Sequence, residues 1–355
     1  MRKEAGKAKG AKEQRNVWNE EMATLYLLEQ GTSLFKENLR FIVHVPKKEK
    51  FELPIREVER ILLFGNINLS TPAITACLES SINVLFLSPS GRYKGHIWNK
   101  ENSNLNVELL QYQHHSDLNF RLTVSKAIAK GKLLNSKQLL LRLNRQRKIL
   151  AVRDTIESIT ADVRAIDSVF DLDRLRGYEG IAAAHYFPAL GKLITNPDFE
   201  FCQRHRQPPT DPVNALLSFG YTLLFNNVLS LIIAEGLSPY FGNFHYGERK
   251  KPYLAFDLME EFRSPIVDSL MLRLINNRIL KQDDFTTVGD RDGIFLSDRS
   301  RRRFLNEFEN RMQDKSAHPA LSQQLSYREI IQLQIGLYKR CLLTETPYEP
   351  FLRTA

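Results

Sequence analysis

The chain has 355 residues, 43% of them hydrophobic and 10% aromatic, enough apolar material to fill one large core or two ordinary ones, which excludes a disordered polyelectrolyte. Lys and Arg number 50 against 41 Asp and Glu, a formal net charge of +9, so a polyanion is the natural partner and nucleic acid belongs to that class. Cys77, Cys202 and Cys341 lie far apart with no CxxC spacing, which argues against a disulfide framework or a thiolate zinc site and suits a reducing compartment.

Residues 1–21 are rich in Lys, Glu, Ala and Gly and read as a charged extension or linker. They lack the apolar centre of a signal peptide, so a cytoplasmic location is expected. From Met22 to about residue 100, short runs of strand formers (Leu25–Leu28, Leu39–Val45, Ile61–Phe64, Val84–Leu87, Tyr93–Trp98) are separated by turn residues such as Gly65-Asn66 and Ser88-Pro89-Ser90-Gly91. Within Leu39–Val45, Leu39, Phe41, Val43 and Val45 alternate with Arg40, Ile42 and His44, the pattern of a half-buried strand. A short helix is predicted over Thr71–Ser80, with Thr71 as cap and Pro72 in the first turn.

Beyond residue 105 the period becomes helical, as in Lys137–Val163 and Asn214–Glu235, and strand alternation nearly vanishes. Leu216–Leu237 is apolar but is interrupted by Ser218, Gly220, Asn226, Asn227 and Ser230, which predicts a buried helix and no membrane span. The prolines of Asn196–Pro212 mark an exposed loop. The expected fold class is α+β: a small, β-sandwich-like N-terminal domain over residues 22–100, then a larger all-α domain over residues 101–355.

Two stretches carry candidate chemistry. In FHYGERKKPYLAFDLMEEFR, residues 244–263, Pro252 precedes a helix predicted over Ala255–Asn276. Asp257, Glu261, Ser264 and Asp268 fall on one stripe, expected to face water. Glu260 shares its side with Phe256 and Val267, so its carboxylate points toward the packed flank, where an unpaired charge is costly. A bound cation would satisfy it, with Asp257 one turn earlier and His245 on the preceding loop as further donors. Acids in a first helical turn also complement the macrodipole, so the stretch alone leaves a metal site and an ordinary helix start both open. In RGYEGIAAAHYFPAL, residues 176–190, Glu179 lies between Gly177 and Gly180 on a small face that permits close approach of another helix. An ion-pair or capping role for Glu179 is equally open. His185 points away from it, about two-thirds of a turn round.

Together with the upstream LLFGNINLSTPAITACLESSINVLFLSPSGRYKGHI, these stretches resemble the CRISPR-associated adaptation integrase family, the Cas-one proteins, over nearly everything from Met22 onward. The resemblance implies an N-terminal β domain that forms a homodimer and a C-terminal α-helical catalytic domain. It further implies a divalent ion, Mg2+ or Mn2+, held by Glu179, His245 and Glu260, with Asp257 in support. The implied activity is DNA integration: the 3′-hydroxyl of a short fragment attacks a phosphodiester at a CRISPR repeat, and hydrolysis at the same site gives endonuclease activity. A small Cas-two protein is the implied partner. Arg249, Lys250 and Lys251, and the cluster Arg299, Arg301, Arg302 and Arg303, are candidate DNA-phosphate contacts or solvated basic faces. Tyr246 and Tyr186 are candidates to stack on a strand end or, equally, to pack internally. His185 departs from the arginine of many members, and the GERKKP loop is slightly long. A related transposon integrase, a structure-selective nuclease and a metal-free DNA scaffold are the competing readings.

Overall fold

The apolar runs before residue 100 become strands because each has at least one face to bury. In the computed structural model, which describes residues 23–99, 105–205, 208–247, 251–288, 291–319, 321, 323–344 and 346–353, the chain divides into two compact units between Asn102 and Ser103. The charged stretch 1–21, Arg249 and Lys250 lie outside the described residues.

In the first unit β1 (Ala23–Leu27), β2 (Ser33–Glu37), β3 (Arg40–His44), β4 (Phe51–Pro54), β5 (Val58–Phe64) and β6 (Asn68–Leu69) precede helix α1 (Thr71–Glu79), followed by β7 (Asn83–Leu87) and β8 (Tyr93–Ile97). One sheet has the order β1-β5-β7-β8, parallel except for β8; the other has the order β4-β3-β2-β6, with β4-β3-β2 antiparallel. Leu25, Ile61, Leu63 and Val84 of the first sheet share a core with Leu34, Phe41 and Val43 of the second and with Ala73, Ala76 and Cys77 of α1, the expected sandwich-like arrangement. Three local expectations are corrected. Leu39 is not in β3 but at the exposed tip of the β2–β3 turn, beside Asn38 with its positive φ of 52°. Ile42 is buried along with Phe41 and Val43, so both faces of β3 are covered. Ser70, not Thr71, caps α1 by accepting the Ala73 N–H, while Pro72 sits in the first turn as expected.

The second unit is built from α2 (Leu105–Ser116), α3 (Leu118–Arg147), α4 (Leu150–Ile166), α5 (Leu172–Gly191), α6 (Pro212–Ala234), α7 (Tyr253–Met259), α8 (Ser269–Asn276), α9 (Asp298–Gln313) and α10 (Tyr327–Thr344). Asp117, Asp171 and Asp211 cap α3, α5 and α6 by accepting first-turn N–H groups. The predicted segment Lys137–Val163 is two helices, because Lys148 takes a left-handed conformation and the Asn144 side chain caps the Ile149 N–H. The unit is not purely helical: β9 (Phe285–Val288) pairs with β10 (Arg291–Leu296), and β11 (Lys315–Ala317) with β12 (Gln324–Ser326). Helix α6 is long and apolar enough to cross a membrane, yet 83% of its apolar window is buried inside the unit.

Residues 253–276 form one central rod, and its winding overturns the expected stripe. Helix α7 tightens to a 3-10 turn over Glu260–Phe262, widens to a π turn over Arg263–Asp268 and resumes as α8. Pro265 lies within the wide turn, where it offers no N–H to the ladder. The rod is packed by α3, α6, α9 and the C-terminal segment, so that no residue from Tyr253 to Leu272 is exposed and only Arg273, near its end, is. Asp257, Glu261, Ser264 and Asp268, expected in solvent, are all buried at 2% exposure or less.

Candidate metal centre

Buried acids need partners, and each acid of the rod has its own set. Asp257 accepts the backbone N–H groups of Asn243 (2.5 Å), Phe244 (3.0 Å) and His245 (2.8 Å), and its Oδ1 lies 2.8 Å from His245 Nδ1. It therefore ties the preceding loop to the rod. With Nδ1–H donating to this carboxylate, the His245 lone pair is on Nε2, the tautomer a metal-binding imidazole needs. Removing the acceptor strands three N–H groups: Asp257→Ala is expected to lower stability by about 2–4 kcal/mol, read from the urea unfolding midpoint.

Glu260 is buried, and His245 Nε2 lies 3.9 Å from its Oε1. Arg263 is 2.9 Å from the same oxygen, and the Lys132 ammonium of α3 is 2.6 Å from Oε2. Lys132 also forms an ion pair with Glu179 of α5, whose side chain is 18% exposed. Thus α3, α5, the 243–247 loop and the rod bring His245, Glu260 and Glu179 to one place, with Lys132 between the two glutamates. Burial pushes the Glu260 carboxyl up, but Arg263, Lys132 and His245 outweigh it and hold the group at about 2. Burial opposes Glu179 likewise, and Lys132 overcomes it to hold this carboxyl below its ordinary value.

Two carboxylates and an imidazole are a hard, mixed donor set that suits Mn2+ or Mg2+. The fit has a specific mark: the buried Glu260 Oε2 is met by a cation, the Lys132 ammonium at 2.6 Å, which also pairs with Glu179. Among the described residues no three His, Cys, Asp or Glu side chains are drawn together tightly enough to chelate as they stand. The ammonium takes the space between Glu179 and Glu260.

Other candidates fall differently. Tyr186 is buried and donates to Asp268 at 2.7 Å, which makes it part of the core. Tyr246 is 47% exposed, with the guanidinium carbons of Arg121 and Arg176 4.9 and 3.9 Å from its ring centre. Lys251 is exposed at the foot of the rod. In the first turns of α9, Arg301 pairs with Asp298 at 2.7 Å and Arg303 donates to the Ile279 carbonyl at 2.9 Å, while Arg302 is exposed. Gly177 and Gly180 have open space where a Cβ would stand, so no helix makes the close approach that these two glycines would permit. Lys132 and Arg263 escaped the sequence reading. Arg263 was findable three residues past Glu260, whereas nothing distinguishes Lys132 from Lys126, Lys130 and Lys137 on the same helix.

A β-sandwich-like unit ahead of a helical unit that gathers acids, an imidazole and cations in its centre is a known architecture. The family described as "CRISPR associated protein Cas1" matches residues 25–310. The CRISPR-associated endonuclease Cas1 1 of Moorella thermoacetica is 31% identical over 340 residues, covering 93% of this chain and 98% of that relative. Among solved structures, a Cas6-RT-Cas1–Cas2 complex superimposes with a TM-score of 0.80 at 24% identity, covering 95% of this chain and 37% of that one. A casposase bound to integration product gives 0.80 at 22% identity, covering 92% of each chain. The chain belongs to the Cas1 family.

Proposed function

We propose that the chain is a divalent-metal-dependent DNA integrase and endonuclease of CRISPR adaptation, which joins the 3′-hydroxyl ends of short DNA fragments to the repeat of a CRISPR array by transesterification. What supports this above all is the meeting of His245, Glu260 and Glu179 around one cation position. The relative from Moorella is named an endonuclease, and the casposase was captured on an integration product. In this reading the chain forms a homodimer through the N-terminal β unit, and its partner is the small Cas2 protein, as in the Cas1–Cas2 complex of shared fold.

Glu179, His245 Nε2 and Glu260 would hold Mg2+ or Mn2+, which supplies Lewis-acid polarisation of the phosphodiester and lowers the pKa of the attacking hydroxyl. The chain's own groups do the rest. Asp257 keeps the proton on His245 Nδ1 and fixes the ring; Arg263 fixes the Glu260 carboxylate through Oε1. No covalent protein nucleophile is needed. Lys251 and Arg302, both exposed, would meet the DNA backbone. Lys251→Ala and Arg302→Ala are each expected to weaken DNA binding without sequence preference and to reduce the salt slope of log K by roughly 0.9, measured by fluorescence anisotropy from low to high salt.

The test of the reading is joining of a labelled fragment to a repeat-bearing plasmid with the Cas2 partner present. Product is expected with Mn2+ or Mg2+ and none with a chelator. Joining that survives the chelator would overturn metal dependence, and joining without preference for the repeat would favour a transposon-type integrase.

A further inference from the structure

Lys132 is 14% exposed, and its ammonium touches Glu179 Oε1 and Glu260 Oε2. These are oxygens that the proposed centre would offer to its ion. An ion bonded to both at about 2.0–2.2 Å would fall where Nζ now lies. Charge leads to the same conclusion. Glu179 and Glu260 are balanced by Lys132 and by Arg263 at 2.9 Å, so two further positive charges are accommodated only when one resident cation withdraws. Arg263 is held by the Tyr221 ring, 4.8 Å from its guanidinium carbon, as well as by Glu260. Lys132 and Arg263 both line a small, mainly apolar hollow with Ser136, Tyr186, Tyr221 and Asp268, and of the two cations Lys132 is the one on a flexible, unforked stem.

We infer that Lys132 is the resident cation of the centre: it holds Glu179 and Glu260 facing one point in the ion-free protein and yields that point to the divalent ion. This rests on the metal reading proposed above. Its consequence is that ion binding is an exchange, whose affinity is set partly by what must be displaced.

The experiment is calorimetric titration of the full chain with Mn2+ alone, without DNA. Lys132→Met removes the competitor and is expected to bind Mn2+ at least about tenfold more tightly than the wild type, whereas Lys132→Arg, with a forked cation gripping both carboxylates, is expected to bind at least about tenfold more weakly. Glu260→Gln should abolish binding at this centre. Unchanged or weaker binding by Lys132→Met, with Glu260→Gln still abolishing it, would overturn the exchange and leave the metal centre intact. Mn2+ binding indifferent to Glu260→Gln would overturn both. Should Lys132→Met not fold, Lys132→Arg decides: weaker binding supports the exchange, and unchanged or tighter binding overturns it.

Discussion

Glu260→Gln is expected to lower strand joining by about 1000-fold or more while leaving DNA affinity within about threefold of wild type. The substitution keeps the shape of the side chain and removes its charge. It deletes the deepest carboxylate of the centre, the one approached by His245, Lys132 and Arg263 together. The two cations then face an amide, although Lys132 retains Glu179. The fold is therefore expected to survive, with a loss of about 1–3 kcal/mol that a thermal melt registers. DNA affinity is expected to be spared because the proposed DNA contacts are exposed cations such as Lys251 and Arg302, not a buried acid. Joining within tenfold of wild type would remove Glu260 from the chemistry.

The neighbouring acid has the opposite phenotype. Glu261→Ala is expected to destabilise the protein by about 3–5 kcal/mol, read from urea unfolding. Glu261 accepts the Phe351 N–H, the Tyr348 hydroxyl and, at 3.3 Å, the Gln334 amide, all buried. It anchors the C-terminal segment, where Phe351 stacks on Phe262 with ring centres 5.5 Å apart. Burial raises the Glu261 carboxyl from 4.5 to about 8, against the pull of those three donors. The native state thus keeps a proton that the unfolded chain releases near 4.5. The associated stability is complete below that value and is lost as pH rises from there to about 8. Burial raises Asp268 from 3.8 to about 6 against Tyr221 and Tyr186, which adds loss of the same sign over its own lower range. Melting temperatures of the wild type should fall across this span, and Glu261→Gln should flatten the decline between pH 6 and pH 8. A wild-type profile that rises there would mean that the three donors outweigh burial.

The pair Glu260 and Glu261 also shows how far sequence reaches. The change from period two to helical period located the transition between the two units near residue 100, because strands and helices bury their faces at different spacings. The short strands after residue 285 left no alternation long enough to read. Glu260 was correctly expected to be buried, through its company with Phe256 and Val267. Glu261 falls on a water-facing stripe only in a uniform helix with one solvated face. The rod instead has a tight and then a wide turn, and at Glu261 it is covered by a segment as distant as residues 348–351. Long-range covering of that kind has no local signature. Nor has the choice of Lys132 over the other lysines of α3, which is decided by which helix face meets α5 and the rod.

The most direct measurement is anomalous scattering from crystals of the protein grown with Mn2+. A single manganese peak bonded to Glu179, His245 Nε2 and Glu260, with the Lys132 ammonium turned away from both glutamates, is the expected result. Manganese bonded elsewhere, or a Lys132 ammonium still lodged between Glu179 and Glu260 at saturating Mn2+, would contradict it.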